Sequence, residues 1–232
     1  MLSLNDILAG LSVWLLPVIF AVSLHEVAHG YVAWRLGDDT AKRLGRLSVN
    51  PIKHIDQFGT IILPLMLVLF RSPVLFGYAK PVPVNFSRLR RPRQDMMWVA
   101  LAGPAMNIFL AFFSAAMLHL IPFIQDGKFA LWLQENLTNS VMINLVLAVF
   151  NMTPIPPLDG GRIVTGILPL HLAIPYAKIE RYGLLLVIGI LFILPMLGNA
   201  VGIDLNFFTE YLFRTVQFML RLILMTVGVH NV

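Results

Sequence analysis

The stretch SLHEVAHGY at residues 23–31 sets His25, Glu26 and His29 inside a run that is otherwise apolar. Helical geometry puts residues i and i+4 on one face, about 6 Å apart along the axis. Two imidazoles at that spacing can bind one zinc ion. Glu26, beside the first of them, can take a proton from a water activated by the metal. Ionisable groups inside an apolar membrane helix are costly, and as a rule they are functional. The bland alternative is a histidine pair hydrogen-bonded in a helix interface.

A catalytic zinc site needs a third protein ligand and an open position for water. Asp159, in NMTPIPPLDGGR at 151–162, is the candidate, because it follows an apolar helix. Gly160 and Gly161 permit a tight turn that could aim it back at the histidines. A plain turn or cap carboxylate is the alternative. Asp38, Asp39 and Asp56 sit in a basic stretch, and Asp126 and Glu135 on the far side. Asp95 and Glu180 stand at helix starts, where an acid favours the dipole. His54 is expected to be a loop residue, and His119 and His171 are isolated.

The elements that must carry these groups are those of a membrane protein. The 232 residues are 58% hydrophobic and 12% charged, whereas soluble domains carry roughly 25% charged residues. The expected fold is an all-α polytopic membrane protein, one domain over 1–232. It has a catalytic core of three long helices at about 8–165, and further membrane helices at about 180–229. Helices are expected over about 8–36, ended by Gly37, then about 94–121, 137–152, 180–200 and 207–229, with a polar turn at 122–136. There is no cysteine, which excludes a disulfide framework and a thiolate metal site. The net charge of +5 is assigned to membrane topology rather than nucleic acid. No Lys or Arg precedes Arg35, so the first apolar segment is expected to be retained rather than cleaved as a signal peptide.

Basic residues crowd 35–56 and 71–93, and the positive-inside rule places both stretches on the cytoplasmic side. Segment 57–70 then enters and leaves on the same side. Its 14 residues would make about 21 Å of helix, short of a roughly 30 Å core, and it contains Pro64. A re-entrant segment is expected there. The following AKPVPV at 79–84 reads as a strand in a small membrane-associated β hairpin. Its prolines lack N–H groups on one edge, so Lys80, Val82 and Val84 donate from the other, to the hairpin or to an unwound substrate strand.

Three ordered motifs, HEVAH at 25–29, LAGPAMN at 101–107 and NMTPIPPLDGGR at 151–162, resemble the site-2 protease family of intramembrane zinc metalloproteases. GRLSVNPIKHIDQFGT and FGYAKPVPVN resemble its compact bacterial members. The resemblance covers roughly residues 10–165. It implies one zinc per chain held by His25, His29 and Asp159, with Glu26 as catalytic base. It places Asn151 near the substrate and matches Asn107 to the asparagine of the AGPxxN motif. Either could donate to a developing oxyanion, or simply pack in a helix interface. The implied substrate is a peptide in a transmembrane segment, with lipid as the other partner, and the implied location is a bacterial cytoplasmic membrane with the active site toward the cytoplasmic side. Oligomeric state is not implied. No room is expected for a PDZ insert or a C-terminal nucleotide-binding module. A metal transporter or a scaffold that no longer cleaves would be the readings from other classes.

Overall fold

In a computed structural model, residues 4–54, 56–62, 66 and 80–228 are described. Three long helices form the centre: α1 (Leu4–Arg35), α3 (Pro92–Met117) and α4 (Gly127–Asn151). Each packs on the other two. A single turn, α2 (Thr40–Arg43), follows α1. Helix α5 (Asp159–Ile167) lies against α3, and α6 (Leu170–Ala177) follows it. Next come α7 (Gly183–Ile188), a π turn at Gly189–Ile193 and α8 (Leu194–Val201). The last helix, α9 (Phe207–Val227), packs on α4 and α3.

The packing is that of a membrane protein. On α3 the buried residues from Ala100 onward are Ala100, Gly103, Pro104, Asn107, Ala111, Ser114 and Ala115, all small or polar. Its exposed residues include Leu101, Phe109, Phe112 and Phe113. Small residues let helices approach closely where no hydrophobic force drives them together, and large apolar ones face lipid. Among the described residues, Gly10–Arg35 and Pro92–Phe123 are long and apolar enough to cross a membrane. Leu170–Tyr182 with Leu185–Val201 gives a third span if that pair, bent by 71°, is taken as one. Helix α9, expected as a membrane helix, is not among them; it carries Glu210, Arg214 and Arg221.

Freed backbone groups inside the bundle are re-satisfied by side chains. Pro17 lies within α1 and has no N–H to give to the carbonyl four residues back. That carbonyl, of Val13, accepts instead from Asn139 Nδ2 of α4 at 2.8 Å. Trp132 Nε1 donates to Ser12 Oγ at 2.8 Å one turn away. These contacts correct the expected 122–136 turn. Asp126 is a helix N-cap, accepting from the main-chain N–H groups of Lys128 and Phe129. Such capping starts a helix, so α4 begins at Gly127, ten residues earlier than the sequence suggested.

Helix α1 ends as expected, with Gly37 at φ 118°, a conformation that favours glycine. Asp38, read from sequence as a loop acid, is buried there. It accepts from the main-chain N–H of Thr40 at 3.0 Å and of Asn85 at 2.6 Å. Burial pushes its carboxyl pKa up, but the bonds from Thr40 and Asn85 and the charge of Arg88 outweigh this and hold it below the ordinary value. Residues 80–85 have no regular secondary structure, and no β ladder occurs among the described residues. The other half of the expected hairpin and most of the expected re-entrant segment 57–70 lie outside the described residues; Gln57–Ile62 is a π-helical turn.

Candidate metal centre

His25 and His29 face inward from α1 and are both buried. Their Nε2 atoms lie 3.0 Å apart. Asp159, the first residue of α5, brings Oδ2 to 3.3 Å from each Nε2. The three donor atoms lie within 4.8 Å of one another, the only such cluster among the described residues. The reason Asp159 reaches them is packing. Methyl groups on Gly160 and Gly161 would come within 2.2 Å of Met152 O and 2.4 Å of Pro156 N. The glycines therefore let the first turn of α5 sit directly on the 152–156 backbone. Gly103 does the same from α3: a Cβ there would stand 2.5 Å from His29 Nε2 and 2.6 Å from His25 Nε2. Any larger residue at 103 would intrude between the two ligand nitrogens.

The hydrogen bonds behind the histidines fix their tautomers. His29 Nδ1 lies 2.6 Å from Val99 O. A carbonyl only accepts, so Nδ1 carries the proton. His25 Nδ1 lies 2.6 Å from Asn107 Oδ1. The amide orientation of Asn107 is set by its Nδ2, which donates to Ala21 O at 3.2 Å and Asn144 Oδ1 at 2.8 Å. Asn144 is oriented in turn by donating to Ser140 O at 2.8 Å. With both Nδ1 atoms protonated, each ring in its neutral form turns an Nε2 lone pair toward the other and toward Asp159 Oδ2, which is buried without a hydrogen-bond partner. Three converging lone pairs repel unless a cation sits among them. Nitrogen and oxygen donors of this kind suit zinc, and hydrogen bonds of this kind orient ligating histidines.

This geometry favours the packing alternative for Asn107. Asn107 is fully buried, and both its N–H groups are used by protein acceptors, so none is left for an oxyanion. Asn151, at the end of α4, donates one amide N–H to Leu147 O at 3.0 Å. Its second has no partner among the described residues. Glu26 is half-buried, and its Oε2 accepts from the main-chain N–H of Val82 at 2.7 Å. Lys80 N–H donates to His54 O at 2.9 Å, so two of the three donors expected to meet a substrate strand are engaged within the protein. His54 Nε2 donates to Ser48 O at 2.8 Å, a loop role as expected. Asn144, Ser140 and Gly103 were not singled out from sequence. A signal existed for the first two: Asn136, Ser140 and Asn144 recur every four residues on one face of α4.

Comparison with known proteins identifies the family. The model of Peptidase family M50 matches residues 13–140 and 120–195. The chain belongs to that family, which includes the site-2 proteases. As an M50 peptidase it is a metalloendopeptidase of the site-2 type. It is 39% identical over 189 residues to "Putative zinc metalloprotease YwhC" of Bacillus subtilis, covering 80% of this chain and 82% of that one. MJ0611 of Methanocaldococcus jannaschii, named in the same way, is 43% identical over 150 residues, 63% of this chain and 71% of that one. Rip2 of Mycolicibacterium smegmatis, also so named, is 28% identical over 181 residues, 78% of this chain and 66% of that one. No solved structure matches. The printed names make zinc the metal of these relatives, and the histidine and carboxylate donors of this M50 peptidase fit it.

Proposed function

We propose that this M50 peptidase hydrolyses peptide bonds within or near transmembrane segments of other membrane proteins, with one zinc held by His25, His29 and Asp159. The observation that carries the reading is the convergence of two imidazole Nε2 atoms and a carboxylate oxygen without a hydrogen-bond partner within 4.8 Å, one residue from a half-buried glutamate. A zinc ion held there supplies Lewis acidity, making water acidic near neutral pH and polarising a carbonyl. The protein's own groups do the rest. Glu26 accepts the proton of the attacking water and returns it to the leaving amine nitrogen. Asn107 keeps His25 in the Nδ1-protonated tautomer, and Asn144 keeps Asn107. The spare N–H of Asn151 is the remaining side-chain candidate for the developing oxyanion.

The position of the site supports this substrate class. His25 and His29 belong to a helix long and apolar enough to cross a membrane. A substrate helix must unwind to expose its carbonyls, and unpaired backbone at that depth is tolerated only against protein or water. The proline-rich turn at 153–158 and the irregular residues 80–84 border the site and can provide that surface. Val84 is the member of the expected strand whose N–H is not seen engaged within the protein. The basic stretches at 35–56 and 80–93 support an active site on the cytoplasmic side.

The test is reconstitution of the full chain in vesicles with a single-span peptide substrate. Wild-type protein should cleave it, a chelator should stop cleavage and added zinc should restore it. Zinc-loaded protein that leaves the substrate intact but passes zinc across the vesicle wall would overturn the protease reading in favour of transport.

A further inference from the structure

Among the described residues, the hydrogen bond that the Glu26 side chain accepts comes from a segment 56 residues away. Val82 N–H donates to Glu26 Oε2 at 2.7 Å. Val82 is flanked by Pro81 and Pro83, and proline has no N–H. The nearest preceding donor, Lys80 N–H, is spent on His54 O. From Lys80 to Pro83, Val82 therefore holds the one main-chain donor free to reach the glutamate.

The strand is pinned in register on both sides of that contact. Before it, the Arg46 guanidinium donates to Lys80 O at 2.7 Å, to Pro81 O at 3.4 Å and to Lys53 O. After it, buried Asp38 accepts from Asn85 N–H at 2.6 Å. The Val82 side chain is buried against Gly30, where an added Cβ would stand 2.6 Å from Val82 Cγ1. Gly30 lies four residues beyond Glu26, on the same face of α1. The segment is thus seated on the helix face that carries the glutamate, with the Val82 N–H aimed at the carboxylate.

We propose that the main-chain N–H of Val82 positions Glu26 for proton transfer. The inference rests on the reading of Glu26 as the general base. A glutamate on a flexible stem visits several rotamers when half exposed. A charge-assisted hydrogen bond to one oxygen restricts it and leaves the other oxygen for the reacting water. The segment that the sequence suggested as a substrate strand has, on this account, a first duty toward the enzyme's own base. Arg46 and Asp38 act through it, as anchors of its register.

The test compares Val82→Pro with Val82→Ala. The first extends Pro-Val-Pro to three prolines, a sequence suited to extended backbone, and removes the N–H. The second removes most of the side chain and keeps the N–H. With zinc content and KM matched, kcat of Val82→Pro should fall at least tenfold below that of Val82→Ala. A second readout needs no turnover. Amide hydrogen exchange at Val82 should be at least tenfold faster in Glu26→Ala than in wild type. Equal kcat in the two Val82 variants, or unchanged exchange in Glu26→Ala, would overturn the proposal. If Val82→Pro does not fold, the exchange measurement decides alone. A wild-type protein that fails to cleave would count against the protease reading, whereas the exchange rate bears on this hydrogen bond independently.

Discussion

Glu26→Gln is expected to bind zinc normally and to cleave 10²–10⁴ times more slowly than wild type, as general-base removal commonly does. The amide is close in size to the carboxylate and keeps an oxygen that can accept from Val82 N–H, so the strand at 80–85 has reason to stay in place. What is lost is the ability to take a proton from water and hand it to the leaving amine. That rate loss corresponds to about 3–5 kcal/mol of transition-state stabilisation. The variant is read by metal analysis and by cleavage of the vesicle-embedded peptide. Near wild-type turnover at full zinc content would remove Glu26 from the mechanism.

The second large effect is on the metal. The double variant His25→Ala, His29→Ala should fall from about one zinc per chain to almost none. Only Asp159 would remain of the three donors, and a single carboxylate does not make a closed or catalytic zinc site. Asp159→Asn should bind zinc more weakly than wild type, because the amide brings no charge to offset the ion. The two histidines sit in a buried pocket between α1 and α3, so loss of the metal can be separated from loss of the fold by comparing helix content of the variants. Full zinc retention by the double variant would place the metal elsewhere in the chain.

The parts of this account that were legible in the sequence share a physical cause. His25, Glu26 and His29 stood out because helical spacing alone puts the two imidazoles on one face, and because ionisable groups are expensive in an apolar helix. Asp159 could be named by elimination and by motif. What the sequence suggested about Gly160 and Gly161 was incomplete: they serve close packing of α5 on the 152–156 turn. Asn107 was left open between an oxyanion donor and a packed interface residue because spacing cannot show whether an amide is already saturated. Its three bonds, to His25, Ala21 and Asn144, come from two other helices. The start of α4 was missed because IPFIQDGKF looks like a polar turn until Asp126 is seen accepting two main-chain N–H groups. The contact between Val82 and Glu26 had no sequence signal at all, since only the fold brings 82 next to 26.

The same reasoning explains why the interior was hard to anticipate. In a soluble helix the large apolar side chains mark the core. In α3 they mark the outside, while Gly103, Asn107 and Ser114 line the inside. Hydropathy therefore identifies the span but not the face that carries the site.

The central claim is that His25, His29 and Asp159 together hold the zinc. X-ray absorption at the zinc edge of the wild-type protein tests it most directly. The expected spectrum shows two imidazole nitrogens and one or two oxygens at about 2.0–2.2 Å, with the imidazole signature lost along with the metal in the His25→Ala, His29→Ala variant. A bound zinc surrounded by oxygen alone, or by a third imidazole, would contradict it.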